Sequence, residues 1–302
     1  LPQMPAGFVV RLPVKDGAVD CAGMQKIDVT GLVDVAGDDP EPEFLSFNDA
    51  GEIVVSLQEN NAFVVIAADG KVAGHFSAGT VDLAGVDTKK NGRLDFTGTM
   101  EAVAREPDGV KWIDNDHFVA ANEGDWKGGS RSFTIWKKDG TVVYESGAVL
   151  EQAIAAIGHY PEHRNKKGAE LESVEVARFG DKTYLFVASE RASVIGVYDL
   201  TDLANPVLKQ LLPSGISPEG MVAIPQRNLL ASANEVDLRE EGGAPAHVML
   251  YELAEGTPAY PMITSAGSDP LIGWGALSGL AADPDTAGKL YAISDSVYGM
   301  MP

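Results

Sequence analysis

The chain has 302 residues, of which 45% are hydrophobic, so it is long enough for one large domain with a sizeable core. Its 44 acidic residues against 23 Lys and Arg give a formal net charge of −21, which argues against a nucleic-acid partner or an anionic lipid surface. No apolar run approaches the roughly 18–20 residues of a membrane-spanning helix, and the single cysteine, Cys21, excludes an intramolecular disulfide.

Five segments of the chain follow one pattern. Each has an acidic or Pro-Glu opening, a short alternating strand, a polar turn and a second apolar strand with an acidic end. They are EPEFLSFNDAGEIVVSLQEN (41–60), EPDGVKWIDNDHFVAANEGD (106–125), ELESVEVARFGDKTYLFVASER (170–191), SPEGMVAIPQRNLLASANEVD (217–237) and ALSGLAADPDTAGKLYAISDS (276–296). In the first four, the opening and closing acids lie 15 to 18 residues apart, which fits two short strands and a turn. Each segment therefore predicts an antiparallel hairpin.

Further strand-like segments follow the first four hairpins, such as AFVVIAADGKVAGHF after the first and SFTIWKKDGTVVYES after the second. Units of four strands that begin 47 to 65 residues apart are typical of β-propeller blades with insertions. We therefore predict an all-β fold, a β-propeller of about five to seven blades of four antiparallel strands. The N-terminal segment GFVVRLPVKDGAVDCAGMQKIDVTG is expected to add strands that complete a blade with the far end of the chain.

The insertion between the first two hairpins contains DTKKNGRLD (87–95), which resembles a calcium-binding loop. Asp87, Asn91 and Asp95 occupy positions 1, 5 and 9 of an EF-hand-type pattern, but Lys89 stands at position 3, where an acid is expected. Two alternatives therefore remain, a Ca²⁺ loop with an unusual ligand set and a plain Asn-Gly turn.

The next insertion contains AVLEQAIAAIGH, whose apolar residues recur at helical spacing. We predict one short helix near 148–158 that packs on the propeller. The residues of its apolar stripe are Val149, Leu150, Ala153, Ile154 and Ile157.

The last hairpin ends close to Pro302, so the sequence has no outer strands for its blade. A propeller must close because an open blade leaves unpaired strand edges. Residues 1–302 are therefore predicted to form a single β-propeller domain that is truncated or is completed by additional chain after residue 302.

Both ends of a hairpin lie at the same edge of its sheet, so the opening and closing acids are expected to crowd one mouth of the propeller channel. Carboxylates in such proximity either hold protons through raised pKa values or bind cations. Oxygen ligands suit Ca²⁺, the expected divalent metal, with Mg²⁺ as an alternative. The other interpretations are that the acids cap backbone N–H groups of neighbouring blades or are surface charges. The nine predicted mouth acids are Glu43, Glu59, Asp108, Glu123, Glu172, Glu190, Glu219, Glu235 and Asp295.

The hairpin segments PEFLSF, FVAANEGD, YLFVASERASVIGVYDLTD and SPEGMVAIP resemble a bacterial family of exported β-propellers, the choice-of-anchor I proteins that are often labelled alkaline-phosphatase-like. They are also similar to "esterase-like activity of phytase" domains. The resemblance runs in order through most of the chain from residue 40 onward. It implies a periplasmic or secreted bacterial propeller with phosphoester hydrolase activity. The sequence departs from the family pattern where ELESV replaces Glu-Pro-Glu-Gly and where ALSGL lacks the opening glutamate.

A phosphoester substrate requires cationic groups near the phosphate. Arg191 directly follows Glu190, and Lys167 precedes the third hairpin, so both are candidates, although ordinary ion pairing is the alternative for each. The predicted catalytic residues are Glu123, Glu219, Arg191 and Lys167. We expect an exported metal-dependent phosphoester hydrolase that acts on a small phosphoester. The alternative is a non-catalytic propeller that binds a protein, a glycan or a cell-surface partner.

Overall fold

The computed structural model describes residues 4–161, 166–257 and 262–295. Within these ranges the regular structure consists of 23 β-strands, one α-helix and three short 3₁₀ helices, so the prediction of an all-β fold is confirmed. The N-terminal strands are β1 (Phe8–Arg11), β2 (Val14–Lys15), β3 (Ala18–Val19) and β4 (Gln25–Asp28). Blade 1 contains β5 (Pro42–Phe47), β6 (Ile53–Leu57), β7 (Ala62–Ile66) and β8 (Val72–Ser77), and the hairpin of β9 (Thr80–Val86) and β10 (Gly98–Ala104) follows it.

The remaining elements continue in chain order. Blade 2 contains β11 (Val110–Trp112), β12 (His117–Asn122), β13 (Ser132–Lys137) and β14 (Val142–Glu145), and the helix α1 (Val149–Ala156) follows. Blade 3 contains β15 (Leu171–Phe179), β16 (Lys182–Ser189), β17 (Val194–Asp199) and β18 (Val207–Pro213). Blade 4 contains β19 (Pro218–Ile224), β20 (Leu229–Asn234) and β21 (His247–Glu252), and a hairpin of β22 (Leu277–Ala282) and β23 (Leu290–Ser294) follows. The 3₁₀ helices are Cys21–Gly23, Pro225–Arg227 and Arg239–Glu241.

The sheets form a β-propeller arrangement of four blades. Blades 1, 2 and 3 are four-stranded antiparallel sheets with sequential strand order, and blade 4 has three strands in the described residues. All five predicted hairpins are present, as β5–β6, β11–β12, β15–β16, β19–β20 and β22–β23. The predicted count of five to seven blades is too high, because β22 and β23 gain no further strand partner within the described residues.

Within the described residues, the N-terminal strands pair with one another and not with the far end of the chain, contrary to the prediction. β1 instead pairs with β4, and β2 pairs with β3. The reason is packing, because Val9 and Ile27 share a buried cluster with β6 and β7 of blade 1. Residues 296–302 lie outside the described residues, so the predicted continuation of the chain after residue 302 stays a prediction.

Successive side chains of a strand point to opposite faces of its sheet and so pack against different neighbouring blades. In β12, Phe118 and Ala120 pack in a cluster shared with blade 1, whereas Val119 and Ala121 pack in a cluster shared with blade 3. This follows from the two-residue period of a strand, which sends successive side chains to opposite faces of the sheet. Blade 2 is therefore apolar on both faces and lies between blades 1 and 3.

The predicted short helix is present as α1. Leu150 and Ile154 lie fully buried in the cluster between blades 2 and 3, which confirms that the helix packs on the propeller. Val149, which was expected in the apolar stripe, is half exposed, and Glu151 lies in the buried face. The buried face of the helix thus includes the charged residue Glu151, which the apolar periodicity does not predict to be buried.

Candidate acidic site at the blade boundaries

The opening acids of blades 3 and 4 occupy irregular positions in their strands. The β15–β16 pairing shifts register between Leu171 and Ser173, and the β19–β20 pairing shifts between Pro218 and Gly220. Glu172 and Glu219 lie at these shifts. A β-bulge changes the direction in which its extra side chain points, and bulges are common beside functional sites.

The backbone just before these positions is also unusual. Glu106, Glu170 and Ser217 each lie two residues before an opening acid and have positive φ angles of 47°, 47° and 54°. Residues other than glycine rarely adopt this left-handed conformation, so three equivalent instances indicate a fixed entry into each blade.

The structure brings seven acidic side chains into three groups, and within each group the ligand atoms all lie within 4.8 Å of one another. Glu123 belongs to the first and second groups, and Glu190 belongs to the second and third, so the groups form one continuous series. We call this series the acidic mouth. The first group contains Asp108, Glu123 and Glu172, the second contains Glu123, Glu170 and Glu190, and the third contains Glu190, Glu219 and Glu235.

Three of the nine predicted mouth acids lie outside these groups. Glu43 is exposed as a residue, but partial burial of its carboxyl raises the pKa, and the charges of Glu59 and Asp125 add to the rise. Glu43 and Glu59 are therefore neighbours on blade 1. Asp295 is exposed at the end of β23. Six predicted acids thus meet in the groups, and Glu43 and Glu59 lie outside them although their charges raise the pKa of Asp108.

The first group has the most strongly perturbed carboxyls. Burial is the main cause of a rise in pKa to about 7 for Asp108 and about 8 for Glu123, and neighbouring acidic charges add to it. Burial and the charges of Glu123 and Asp108 raise the pKa of Glu172 to about 10. The Gln58 amide donates a hydrogen bond of 2.6 Å to Glu123 Oε2, whereas the buried Glu172 Oε2 accepts none from the described residues. Within the described residues no ion pair shorter than 4 Å reaches this group.

The second group contains a cation from the protein itself. Arg191 Nε donates to Glu170 Oε2 at 2.6 Å, and Arg191 Nη1 lies 2.7 Å from Glu190 Oε1. Lys167 Nζ lies 3.0 Å from Asp125 Oδ1 and 3.9 Å from Glu170 Oε1. The two predicted phosphate-binding cations are therefore both at the acidic mouth, and each is paired with an acid.

The third group is more open to solvent. Glu235 is exposed, and burial followed by the charge of Glu235 raises the pKa of the Glu219 carboxyl. Burial raises the pKa of Glu190 to about 7, although Arg191 acts in the opposite direction. The carboxyl pKa values are thus raised most in the first group of the acidic mouth and less in the third.

Sequence reasoning missed Glu170, the seventh member of the mouth, and it missed Glu106. Both are the first acid of a Glu-x-acid pair, a pattern that Glu41 and Glu43 repeat in blade 1. Glu106 accepts hydrogen bonds from the backbone N–H groups of Trp126 at 2.9 Å and Lys127 at 2.7 Å. Glu106 thus caps backbone of its own blade, in the loop between β12 and β13, whereas the predicted alternative was capping of a neighbouring blade.

The loop 87–95 lies apart from the acidic mouth. Asp87 Oδ1 accepts from Lys89 N at 3.0 Å, Asn91 Oδ1 accepts from Arg93 N at 3.3 Å, and Asp95 Oδ1 accepts from Thr97 Oγ1 at 2.6 Å. In the described part of the chain, neither Asp87 nor Asp95 belongs to a trio of acidic, His or Cys ligand atoms. The Ca²⁺ loop stays a prediction, and its oxygen atoms make the bonds of an ordinary turn.

Fold and site together define an acidic-mouthed β-propeller. The sequence matches the choice-of-anchor I domain over residues 17–128 and 127–203, which is more than half of the chain. The protein therefore belongs to the choice-of-anchor I family, and the resemblance of its hairpins is confirmed. The relationship to alkaline-phosphatase-like and phytase-like proteins stays a prediction.

Comparison with curated proteins finds no match. Among solved structures, a Lactobacillus plantarum protein is similar with 14% identity and a TM-score of 0.41, covering 78% of this chain and 60% of its own. A putative 6-phosphogluconolactonase from Bacteroides uniformis has 14% identity, a TM-score of 0.45 and coverage of 74% and 57%. The structure of U3-55K has 13% identity, a TM-score of 0.36 and coverage of 64% and 60%. The chain thus spans 57% to 60% of the length of these structures.

The family assignment supports a bacterial cell-surface or secreted protein. In the described residues, no helix has both the length and the apolar character that membrane crossing requires.

Proposed function

We propose that the protein is a metal-dependent phosphoester hydrolase whose site is the acidic mouth. One observation carries the proposal: Asp108, Glu123 and Glu172 place carboxylate oxygens within 4.8 Å of one another, without an ion pair among the described residues. Three carboxylates at this distance cannot all ionise unless a cation offsets their repulsion. The first group is therefore the preferred cation site.

The donor set of the first group fits a hard divalent cation, and Ca²⁺ is the preferred ion. The buried Glu172 Oε2, which accepts no hydrogen bond from the described residues, would be satisfied by a bound cation. Calcium takes about 6–8 oxygen ligands, so three carboxylates would leave positions for water and for phosphate oxygens. When bound, the cation would supply Lewis-acid polarisation of the phosphoryl group.

The chain's own residues would supply the rest of the chemistry. Lys167 and Arg191 lie at the second group, where their charges would attract and orient the phosphate of a small substrate. Glu219, whose charge acts on both Asp108 and Glu172, would accept a proton from the attacking water. Glu123 would serve as a shared ligand because it belongs to two groups.

Hydrolysis of p-nitrophenyl phosphate, with and without Ca²⁺, tests this function. We expect turnover that requires the cation and falls at least about 100-fold in Glu123→Gln and in Glu219→Gln, since each removes a charge from the mouth. Glu240→Gln is the matched control because Glu240 is an exposed glutamate in a 3₁₀ helix. A folded protein that hydrolyses no phosphomonoester with Ca²⁺, Mg²⁺, Mn²⁺ or Zn²⁺ would contradict the proposal.

A second candidate is a non-catalytic propeller that binds a protein, a glycan or a cell surface, with the mouth acids joining the blades. Its support is that each of the three groups combines residues of two adjacent blades. The Gln58–Glu123 hydrogen bond and the Lys111–Glu175 ion pair also cross blade boundaries. This function predicts a folded protein that shows no turnover with any divalent cation.

For location, we propose export to the periplasm or the medium. Cell fractionation of the native host would test it, and recovery of the protein in the cytoplasm would contradict it.

A further inference from the structure

The segment 166–170 carries two charged residues of the acidic mouth, Lys167 and Glu170, into the start of β15. Its backbone is held by side chains from elsewhere in the fold. Glu151 Oε1 accepts from Ala169 N at 2.7 Å, and Arg131 Nη2 donates to the carbonyl of Lys166 at 2.9 Å. The segment is therefore fixed on both sides of Lys167.

Arg131 and Glu151 form a fully buried ion pair, with 3.7 Å between Arg131 Nη1 and Glu151 Oε2. Arg131 Nη1 also donates to the carbonyl of Asp87 at 3.0 Å. Burying two charges has a large desolvation cost, so such a pair is a poor source of stability compared with apolar packing. Its hydrogen bonds instead go to the backbone of two loops, which indicates that its role is to fix their positions.

Gly168 shows how closely the segment lies on this pair. Its φ is +67°, and a Cβ atom at this position would overlap Glu151 Oε1 and the Arg131 side chain. Glycine is therefore required here both by the backbone conformation and by the close approach of the two charged groups. A displaced ion pair would displace the segment, and the segment carries Lys167 and Glu170.

We propose that Arg131 and Glu151 are positioning residues for the acidic mouth. Through the backbone of 166–170 they place Glu170 beside Glu123 and Glu190, and they place Lys167 beside Asp125. Neither residue belongs to the three carboxylate groups, so both act through the segment. This inference deepens the proposed function and rests on it.

Glu151→Gln in the full chain is the first test. Glutamine keeps the size of the side chain and an acceptor oxygen but leaves Arg131 without its counter-charge. Glu172 of the first group lies two residues after Glu170, so displacement of the segment should also displace this ligand. We therefore expect the dissociation constant for Tb³⁺, a luminescent substitute for Ca²⁺, to rise about tenfold, the effect typical of altering a group that orients a metal ligand. Amide hydrogen exchange in the peptide that contains Ala169 should become faster. Glu240→Gln should change neither quantity.

The double variant Arg131→Met with Glu151→Gln separates positioning from stability. It removes both buried charges, so its melting temperature should return to that of the native protein or exceed it. The hydrogen bond from Arg131 to the Lys166 carbonyl is still lost, so the affinity for Tb³⁺ should stay about tenfold weaker than that of the native protein. If affinity returns together with stability, the pair has only a structural role and the inference is wrong.

Gly168→Ala provides a third variant that leaves both charges in place. Its added Cβ should displace the segment and accelerate exchange at Ala169 in the same way. Unchanged exchange in both Glu151→Gln and Gly168→Ala would overturn the positioning role whether or not metal binds. Absence of Tb³⁺ binding to the native protein would instead overturn the proposed function, while the exchange result would still decide the role of the pair.

Discussion

The first and second groups of the acidic mouth are built from the same ligand type and share Glu123, yet they differ in how their charge is offset. The second group contains Arg191, which contacts both Glu170 and Glu190. The first group has no such contact within the described residues, and the pKa values of its carboxyls rise to between about 7 and about 10. The protein thus supplies its own cation at the second group, whereas within the described residues the carboxyls of the first group have raised pKa values and no such partner.

The origin of this difference is the residue that follows each closing acid. Arg191 follows Glu190, whereas Gly124 follows Glu123. Gly124 has a φ of +81°, and a Cβ atom there would overlap the backbone of Gly128 and Gly129. No arginine fits at this position without rebuilding the loop, so blade 2 cannot copy the solution that blade 3 uses.

The largest effect should come from Glu172→Gln, which removes a charge from the first group. We expect Ca²⁺ affinity to fall about 100-fold, because one of three charged ligands becomes neutral and the other two keep their burial cost. Glu235→Gln, in the exposed part of the third group, should change affinity less than about threefold. Isothermal titration calorimetry measures both, and equal losses would break the distinction between the groups.

The second effect concerns pH in the metal-free protein. The folded-state pKa values of about 7 for Asp108, about 8 for Glu123 and about 10 for Glu172 exceed the unfolded values near ~4. The folded state therefore binds more protons than the unfolded state above pH ~4, so the free energy of unfolding falls as pH rises. We expect this fall between pH ~4, near the unfolded pKa values, and pH ~10, near the folded pKa of Glu172, in urea titrations, and a shallower fall in Glu172→Gln. A stability that rises over this window would show that the first group is already compensated.

The smallest effect should come from Arg191→Gln, which makes the second group resemble the first. Because the Arg191 side chain is 45% exposed, the loss in the free energy of unfolding should be about 1 kcal/mol, less than for a fully buried pair. Millimolar Ca²⁺ should restore this loss if a metal can replace the guanidinium. Urea unfolding with and without Ca²⁺ measures it, and a loss that Ca²⁺ leaves unchanged would show that the two kinds of cation are not interchangeable here.

The sequence was sufficient to predict the hairpins and the meeting of six acids, because the repeat fixes the distance from each opening acid to its closing acid. It did not reveal the bulges at Glu172 and Glu219, since register shifts depend on the partner strand. Glu170 was not predicted because only the second acid of each Glu-x-acid pair was taken as the opening acid of a hairpin. The buried Glu151 was missed because an amphipathic pattern assigns charged residues to the outer face.

At the boundaries between blades 2 and 3 and between blades 3 and 4, the closing acid of one blade meets the opening acid of the next, as Glu123 meets Glu172 and Glu190 meets Glu219. Blade 3 therefore carries two half-sites, one at each of its boundaries, whereas Glu59 at the boundary of blades 1 and 2 belongs to no group. An internal duplication of a blade of the blade 3 type would join two such halves at the new boundary. The number of groups in a protein of this design can thus grow with the number of its repeats, and each new copy can diverge at the residue after its closing acid.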